Sequence, residues 1–381
     1  YAQNENVDRG DLRMQVIERG TSTPIDDAKI SISYSGDPDS TVEEVNTDAS
    51  GMSETLTLDT PPLELSMQPS EVQPYAEYTI QVTAKGYRPI NISGIEVFSG
   101  QLSLQEIRMD AEETTESMTD NIVIPAHTLF AEYPPKIAEA EIKPVTETGE
   151  IVLSRVVIPE YVIVHDGAPS DPTARDYYVR YRDYIKNVAS SEIYSTWPDA
   201  TIRANVLAIM SFTLNRVYTE WYRNKGYSFT ITSSTAYDQK FMYGRNIYQS
   251  ISDVVDEMFQ NYLSRPNVRQ PILTQYCEGG LGHPGVLAES RSVGRIDGRK
   301  GPADSGTAGA HLAFLPGHSD NYAGRNLRAG NQGGGGAFPE YLRTSGHGSD
   351  RLSDLVPYFR DLCRGYAHCG AGLEVGFFPG L

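Results

Sequence analysis

The stretch that decides the fold of the second half of this chain is YIKNVASSEIYSTWPDATIRANVLAIMSF, residues Tyr184–Phe212. It contains two helical patterns joined by a short turn, and Glu192 lies at the joint. A carboxyl group there meets the unpaired carbonyl groups at the end of the first helix, which disfavour its ionised form. We therefore expect a raised pKa for Glu192. Such a glutamate can protonate a leaving oxygen near neutral pH, which makes Glu192 a candidate general acid.

Helical spacing continues on both sides of this turn. The first helix is predicted over Asp176–Ser190. The second begins at Trp197–Asp199, since proline is tolerated in a first turn, and ends near Lys225 with Gly226 as the residue that follows it. Its centre, Val206–Phe212, is apolar on every face, so this helix is expected to be buried.

Further along, the pattern Ser250-x-x-Asp253 predicts the cap of a third helix that continues to Tyr262. A strand is predicted over Pro271–Tyr276. Upstream, His165-Asp166 follows an apolar strand. This pair could orient a proton shuttle, and the alternative is a histidine that only caps a loop.

The N-terminal part has the alternating pattern of an all-β domain. Ala28–Tyr34 alternates apolar and polar residues, and so does the segment Tyr78–Tyr87. Between them, Thr47–Gly51 predicts a turn whose glycine adopts positive φ. This order of strands and turns resembles the carboxypeptidase regulatory-like domain. The resemblance implies a transthyretin-like or immunoglobulin-like β-sandwich, which serves either as a spacer or as a binding module for carbohydrate or protein.

The stretch around Glu192 resembles the stage II sporulation protein D and amidase-enhancer family of bacterial cell-wall proteins. In that family, a helix ending in Val-Ala-Ser-Glu-Met-Pro precedes one of the type Glu-Ala-Leu-Lys-Ala-Gln-Ala-Leu-Ala-Ala-Arg-Thr. The resemblance covers Val156–Cys277. Matches to like residues within it are Val188, Ala189, Glu192, Ile202, Ala204, Leu207 and Ala208. Active members are lytic transglycosylases of peptidoglycan, so the resemblance implies that Glu192 is the catalytic acid.

In the implied reaction, one acid protonates the glycosidic oxygen between two amino sugars. The substrate's own acetamido group and 6-hydroxyl then complete an anhydro ring, so no second carboxylate is needed. The candidate residues for contact with the glycan are Tyr194, Trp197, Asn205, Tyr237, Asp238 and Gln239. The alternative for each aromatic residue is core packing or the filling of a loop, and for Asp238 it is an ordinary loop position.

The chain also departs from the family pattern. Asn205 stands where the family usually has glutamine, and Met210 stands where it usually has arginine. Thr235–Gln239 occupies the place of the family's zinc-binding cysteine and histidine. We therefore predict no metal site and no cofactor.

Together these patterns predict a multidomain α+β protein. It has a short N-terminal extension (residues 1–9), a β-sandwich (10–110), a linker with short strands (111–155) and a mixed α+β domain with a buried central helix (156–277). A glycine-rich tail (278–381) follows, and it holds 23 of the 34 glycines. The tail is either a flexible segment or the product of a frameshift from a peptidoglycan-binding domain.

The charge of the chain limits its partners. The net charge is −18, all of it before Glu278, which argues against nucleic acid. No apolar stretch is long enough to cross a membrane. The expected partner is the peptidoglycan glycan strand, and the sequence does not indicate which proteins bind the chain. The expected location is the cell envelope or the extracellular space. Two functions remain open: a glycan-cleaving enzyme of wall or spore-wall remodelling, and a non-catalytic binding or assembly protein.

Overall fold

A computed structural model describes residues 7–67, 72–112, 119–127, 153–264 and 269–274, and the backbone of 374–376. The protein is mixed α+β, as predicted. Its residues form two compact units, and neither is continuous in sequence. The first unit comprises Tyr1–Glu132, Lys186–Trp197 and Lys240–Asp256, and the second comprises the remaining segments.

Most of the first unit consists of β-strands, and the alternating residues of the N-terminal sequence form them. The elements, in chain order, are β1 (Asp8–Glu18), β2 (Lys29–Tyr34), β3 (Asp37–Asn46), β4 (Leu56–Thr60), the short helix α1 (Glu64–Met67), β5 (Ala76–Thr83), β6 (Ile90–Val97), β7 (Leu102–Met109) and β8 (Asp120–Val123). The predicted strands at Ala28–Tyr34 and in the Tyr78–Tyr87 segment are confirmed as β2 and β5.

These strands make two sheets that share one hydrophobic core. Strands β3, β2, β5, β6 and β8 follow one another in one sheet, and β7, β1 and β4 are neighbours in the other. The inward residues of both sheets, among them Leu12, Ile80 and Ile107, belong to the same buried cluster. Since alternate residues of a strand point to opposite faces, the period-two pattern places one apolar face of each sheet in this core.

The turn predicted at Thr47–Gly51 is confirmed. The Asp48 carboxylate accepts hydrogen bonds from the backbone N–H groups of Ser50 and Met52, at 2.8 and 3.0 Å. Gly51 has φ = 71°, a region that glycine enters without steric cost. A Cβ added to Gly51 would meet the carbonyl oxygen of Val16 at 2.4 Å, so only glycine fits there.

Strands from outside residues 10–110 complete both sheets. Strand β8 pairs in parallel with β6. A later strand, Ile247–Tyr248, which we number β12, pairs antiparallel with β7 at Leu104 and Ser103. The first unit therefore takes one edge strand from a part of the sequence that resembles a different domain.

The remaining elements, in chain order, are β9 (Tyr161–His165), β10 (Asp176–Arg180), α2 (Tyr181–Glu192), α3 (Asp199–Tyr218), β11 (Ile231–Thr232), then β12, α4 (Gln249–Met258), β13 (Tyr262–Ser264) and β14 (Glu374–Gly376). In the second unit, β9 lies between β10 and β11, and β13 pairs with β14. The helix α3 is buried along nearly its whole length, which confirms the expectation from its apolar centre.

Several predicted boundaries are wrong. Residues Asp176–Arg180 form strand β10, which pairs antiparallel with β9, so helix α2 begins five residues later than expected. The sequence Asp-Tyr-Tyr-Val-Arg favours a strand once a partner strand is available. Helix α3 ends at Tyr218, and Gly226, with φ = 84°, instead ends the short 3-10 helix Arg223–Lys225.

The third helix also differs from its prediction. Helix α4 begins at Gln249 rather than at a Ser250 cap, and it ends at Met258. Tyr262 belongs to strand β13. Pro271 makes an isolated bridge to Ser264 instead of joining a regular strand.

Most of the predicted linker and of the tail lies outside the described residues. This applies to residues 113–118 and 128–152, and to the tail apart from the backbone of β14. Neither the flexible-segment interpretation nor the frameshift interpretation is therefore tested. In the part of the chain that the structure describes, no helix is both long and apolar enough to span a bilayer.

Candidate functional site around Glu192

Glu192 is the last residue of helix α2 and is half-buried in the first unit. Its Oε1 atom accepts a hydrogen bond of 2.8 Å from the backbone N–H of Lys240. A donor on the carboxylate stabilises the ionised form, whereas a general acid has to carry a proton. The raised pKa expected for Glu192 stays a prediction.

A segment of residues 240–248, which we call the clamp, holds the end of helix α2. Besides the Lys240 bond, the side-chain amide of Asn187 makes two hydrogen bonds to the backbone of Met242. Its Nδ2 donates to the carbonyl oxygen at 2.7 Å, and its Oδ1 accepts from the N–H at 2.9 Å. The last two turns of α2 are thereby tied to the clamp at both Asn187 and Glu192.

Arg245 of the clamp also contacts this helix end. Its Nε donates to the carbonyl oxygen of Ser190 at 2.8 Å. The last carbonyl groups of a helix have no partner within the helix, and an arginine is well suited to bind them. Arg245 therefore caps the end of α2 at Ser190, two residues before Glu192.

The rest of the Arg245 guanidinium binds Glu96 on strand β6. Nη2 lies 2.5 Å from Oε2 of Glu96 and Nη1 lies 3.2 Å from Oε1, so both carboxylate oxygens are engaged. The side chains of both residues have no exposed surface. The planar fork of arginine suits such a two-point contact, and a buried carboxylate requires one.

Glu96 receives two further hydrogen bonds. The Tyr248 hydroxyl donates to Oε2 at 3.0 Å, and the backbone N–H of His127 donates to Oε1 at 2.8 Å. Burial opposes ionisation of Glu96, but the charge of Arg245 and the bonds from its neighbours outweigh it and lower its pKa to about 2. Glu96 is therefore ionised at every physiological pH.

The imidazole ring of His127 completes this buried cluster. Its Nδ1 lies 3.3 Å from Nη2 of Arg245 and 3.5 Å from Oε2 of Glu96, so the ring tautomer decides whether Nδ1 accepts from the guanidinium or donates to the carboxylate. Burial lowers the pKa of His127 to about 4 despite the nearby Glu96, so the ring is neutral. We call Glu96, His127, Arg245 and Tyr248 the buried cluster.

Sequence reasoning missed the buried cluster. The available signal is one charged residue, Glu96, inside the apolar run Ile95–Phe98 at the end of β6. Its partner Arg245 lies 149 residues later. No local pattern relates two such positions.

Tyr194 and Trp197, predicted to stack on sugar rings, are buried in the first unit. The Tyr194 ring packs against Phe98 and His127, with centroid distances of 5.2 and 4.9 Å. The Trp197 indole lies 5.9 Å from Tyr194, and its Nε1 donates to the carbonyl oxygen of Ser66 at 3.2 Å. This is the packing that the alternative interpretation predicts, and the role in glycan contact stays a prediction.

Asp238 is fully buried in the second unit and binds several donors. Oδ1 accepts from Nε of Arg216 at 2.6 Å. Oδ2 accepts from the Tyr222 hydroxyl at 2.6 Å and from the backbone N–H and hydroxyl of Thr232 at 2.8 and 2.7 Å. Asp238 thus joins helix α3, the segment after it and strand β11.

The other candidates in the second unit also make internal bonds. Gln239 Oε1 accepts from the Thr213 hydroxyl at 2.8 Å, and its Nε2 donates to the Ile209 carbonyl at 3.0 Å. Asn205 is buried and donates to the carbonyl of Thr201, one turn earlier in α3. Tyr237 is half-buried, and its carbonyl accepts from Arg216 at 3.0 Å.

The structure therefore brings Glu192, Tyr194 and Trp197 together in the first unit. Asn205, Tyr237, Asp238 and Gln239 belong to the second. His165 pairs with Asp176 at 2.7 Å rather than with Asp166, and its Nε2 lies 3.1 Å from the carbonyl oxygen of Asp171. With both ring nitrogens bound, this histidine holds a loop.

Among the described residues, no group of three or more His, Cys, Asp or Glu side chains could hold a metal ion. The chemistry that the Glu192 site offers is that of a half-buried carboxylate beside Lys240. Burial, together with the charge of Arg245, lowers the pKa of the Lys240 ammonium group.

No family model and no curated protein matches this chain. Several solved structures resemble parts of it, among them the following three. 5-Hydroxyisourate hydrolase of Klebsiella pneumoniae is 15% identical, with 27% of this chain and 92% of that one covered and a TM-score of 0.18. The Bacillus anthracis TIE protein is 15% identical, with 27% and 17% covered and a TM-score of 0.19. GBS52, the minor pilin of Streptococcus agalactiae, is 11% identical, with 31% and 48% covered and a TM-score of 0.20. The matched part of this chain spans less than a fifth of the TIE protein.

Proposed function

We propose that this chain is a non-catalytic protein of the bacterial cell envelope that binds peptidoglycan glycan strands at the Glu192 site. The observation that carries the proposal is the hydrogen bond from the Lys240 backbone N–H to Oε1 of Glu192. A carboxylate held in this way is stabilised in its ionised form and acts as an acceptor. It suits the hydroxyl and N-acetyl groups of an amino sugar, which donate hydrogen bonds.

The surroundings of the candidate residues argue against cleavage. The side-chain oxygens of Asp238 and Gln239 accept hydrogen bonds from other residues of the second unit. The rings of Tyr194 and Trp197 are buried and lie against other aromatic rings. Met210 replaces the arginine usual in the family that the sequence resembles, and it is buried.

The first unit fits this role as a wall-associated module. We assign its two sheets to the transthyretin-like or immunoglobulin-like β-sandwiches, on the strand and turn pattern that resembles the carboxypeptidase regulatory-like domain. The location in the cell envelope or outside the cell, and a part in spore-wall or cell-wall assembly, follow from the same resemblance.

A second candidate function is glycan cleavage of the lytic transglycosylase type. It is favoured by the position of Glu192 at the C-terminal end of helix α2, where the helix dipole opposes an ionised carboxylate. In that function, Glu192 donates its proton to the glycosidic oxygen as the bond to the sugar breaks. The acetamido group of the substrate then stabilises the positive charge that develops.

Co-sedimentation with purified peptidoglycan tests the binding proposal. We expect the full chain to pellet with the glycan and Glu192→Ala to bind about tenfold more weakly, the effect of losing a charge-assisted hydrogen bond. Glu54→Ala, which removes an exposed glutamate of the same unit, is the matched control and should bind normally. Failure of the unmodified chain to pellet would reject the proposal.

A further inference from the structure

We propose that Arg245 is a positioning residue that couples buried Glu96 of the β-sandwich to the Glu192 turn. The β-sandwich then helps to hold the Glu192 turn in place rather than acting only as a spacer. The inference deepens the proposed function and rests on it for the role of Glu192. The coupling itself has a readout that needs no glycan.

The first step is the bond to the helix. Nε of Arg245 donates to the Ser190 carbonyl oxygen at 2.8 Å, in the last turn of α2. Lys240, five residues before Arg245 in the clamp, donates its backbone N–H to Glu192, which lies two residues after Ser190 in the helix. Moving Arg245 would therefore move the segment that holds the Glu192 carboxylate.

The second step is the bond to the sandwich. Both terminal nitrogens of Arg245 contact the Glu96 carboxylate, which is fully buried on strand β6. Next to it, β12 adds Ile247 and Tyr248 to the edge of strand β7. The guanidinium that binds Ser190 is therefore also held by Glu96 on β6 of one sheet and by Tyr248 on β12 of the other.

The third step is the division of the donors. The Nε hydrogen serves Ser190, and the two terminal nitrogens serve Glu96, with Nη2 also 3.3 Å from the Tyr248 hydroxyl. A lysine ammonium is a point charge and cannot span both acceptors in this fork geometry. Arg245 thus has two separable roles: counter-ion of Glu96 and cap of helix α2.

Two variants of the full chain separate these roles. Arg245→Lys keeps a positive charge but loses the fork. The double variant Glu96→Leu with Arg245→Met removes both buried charges, and such replacements often preserve stability. The readouts are the thermal unfolding midpoint and amide hydrogen exchange of peptides that cover residues 186–197 and 240–248.

If Arg245 positions the turn, the double variant should unfold close to the midpoint of the unmodified protein. Exchange in both peptides should nevertheless be about tenfold faster, because the cap on Ser190 is gone. Arg245→Lys should show the same local increase. Ile80→Val, a small core deletion in β5, is the control for general destabilisation and should not single out these peptides.

Two results would overturn the inference. One is normal exchange in both peptides of the double variant at a normal midpoint, which would make Arg245 a counter-ion only. The other is a double variant that fails to fold, which would make the cluster purely structural. Absence of glycan binding by the unmodified chain would reject the proposed function and leave these exchange results unaffected.

Discussion

The guanidinium of Arg245 lies against the carboxylate of Glu96, 149 residues earlier in the chain, with both side chains fully buried. This pair makes the β-sandwich depend on a segment from the second half of the sequence. A buried carboxylate without its cation costs several kcal/mol, roughly 3–5 when one partner is removed. The first predictions concern this dependence.

The N-terminal part on its own should not fold cooperatively. The sequence alone suggests that a fragment ending near Asp110 folds by itself, because its strands complete a sandwich pattern. The structure predicts the opposite for residues 1–127, because they contain Glu96 but lack Arg245 and strand β12. Thermal unfolding followed by circular dichroism checks this.

The matched control for the fragment is the same fragment with Glu96→Leu. It should be more stable than the unmodified fragment, since the uncompensated charge is gone. A sharp transition in the unmodified fragment would show that the sandwich does not need Arg245.

The pH dependence of stability should report on His127. Its pKa is lowered from 6.5 to about 4 by burial in the fold, so the unfolded chain binds one more proton than the folded one between these values. Stability conferred by the neutral ring is complete above pH 6.5 and is lost as the pH falls towards 4. Glu96, with its pKa near 2, stays ionised throughout this range.

Urea unfolding at a series of pH values measures this effect. The free energy of unfolding should fall with a slope of about one proton between pH 6.5 and 4, and His127→Gln should remove that slope. An unchanged slope in His127→Gln would mean that another group takes up the proton.

Asp238→Asn should destabilise the second unit. The variant leaves the buried Arg216 guanidinium without its counter-charge, at a cost of about 3–5 kcal/mol. Asp256→Asn is the comparison, because its pair with Lys186 is partly exposed and is worth under about 1 kcal/mol. If Asp238→Asn unfolds normally but loses glycan binding, Asp238 contacts the ligand instead.

The fluorescence emission of Trp197 should change when the protein unfolds but not when glycan binds. Its indole is buried against Tyr194 and bonded to Ser66, so we expect no bound sugar to stack on it. The chain has two tryptophans, and Trp221→Phe isolates the emission of Trp197. Adding soluble glycan fragments should leave that emission unchanged, and a shift of its maximum would revive the stacking role.

Local patterns predicted what depends on local chemistry. The alternation of Ala28–Tyr34 gave strand β2, and the uniformly apolar centre Val206–Phe212 predicted that helix α3 is buried. Residues Asp176–Arg180 were predicted as helix, but they form a strand by pairing with β9. That pairing is a tertiary contact, which the local pattern does not show. The bonds around Asp238 and Glu96 join residues far apart in sequence, so residue types alone could mark them as candidates but could not assign them a role.

The most direct test of the central claim is mass spectrometry of peptidoglycan after long incubation with the full chain. We expect bound but intact glycan strands, with no anhydro-muropeptides above the level of a sample without protein. Anhydro-muropeptides that the unmodified chain releases, and that Glu192→Gln no longer releases, would contradict it and identify Glu192 as the acid of a lytic transglycosylase.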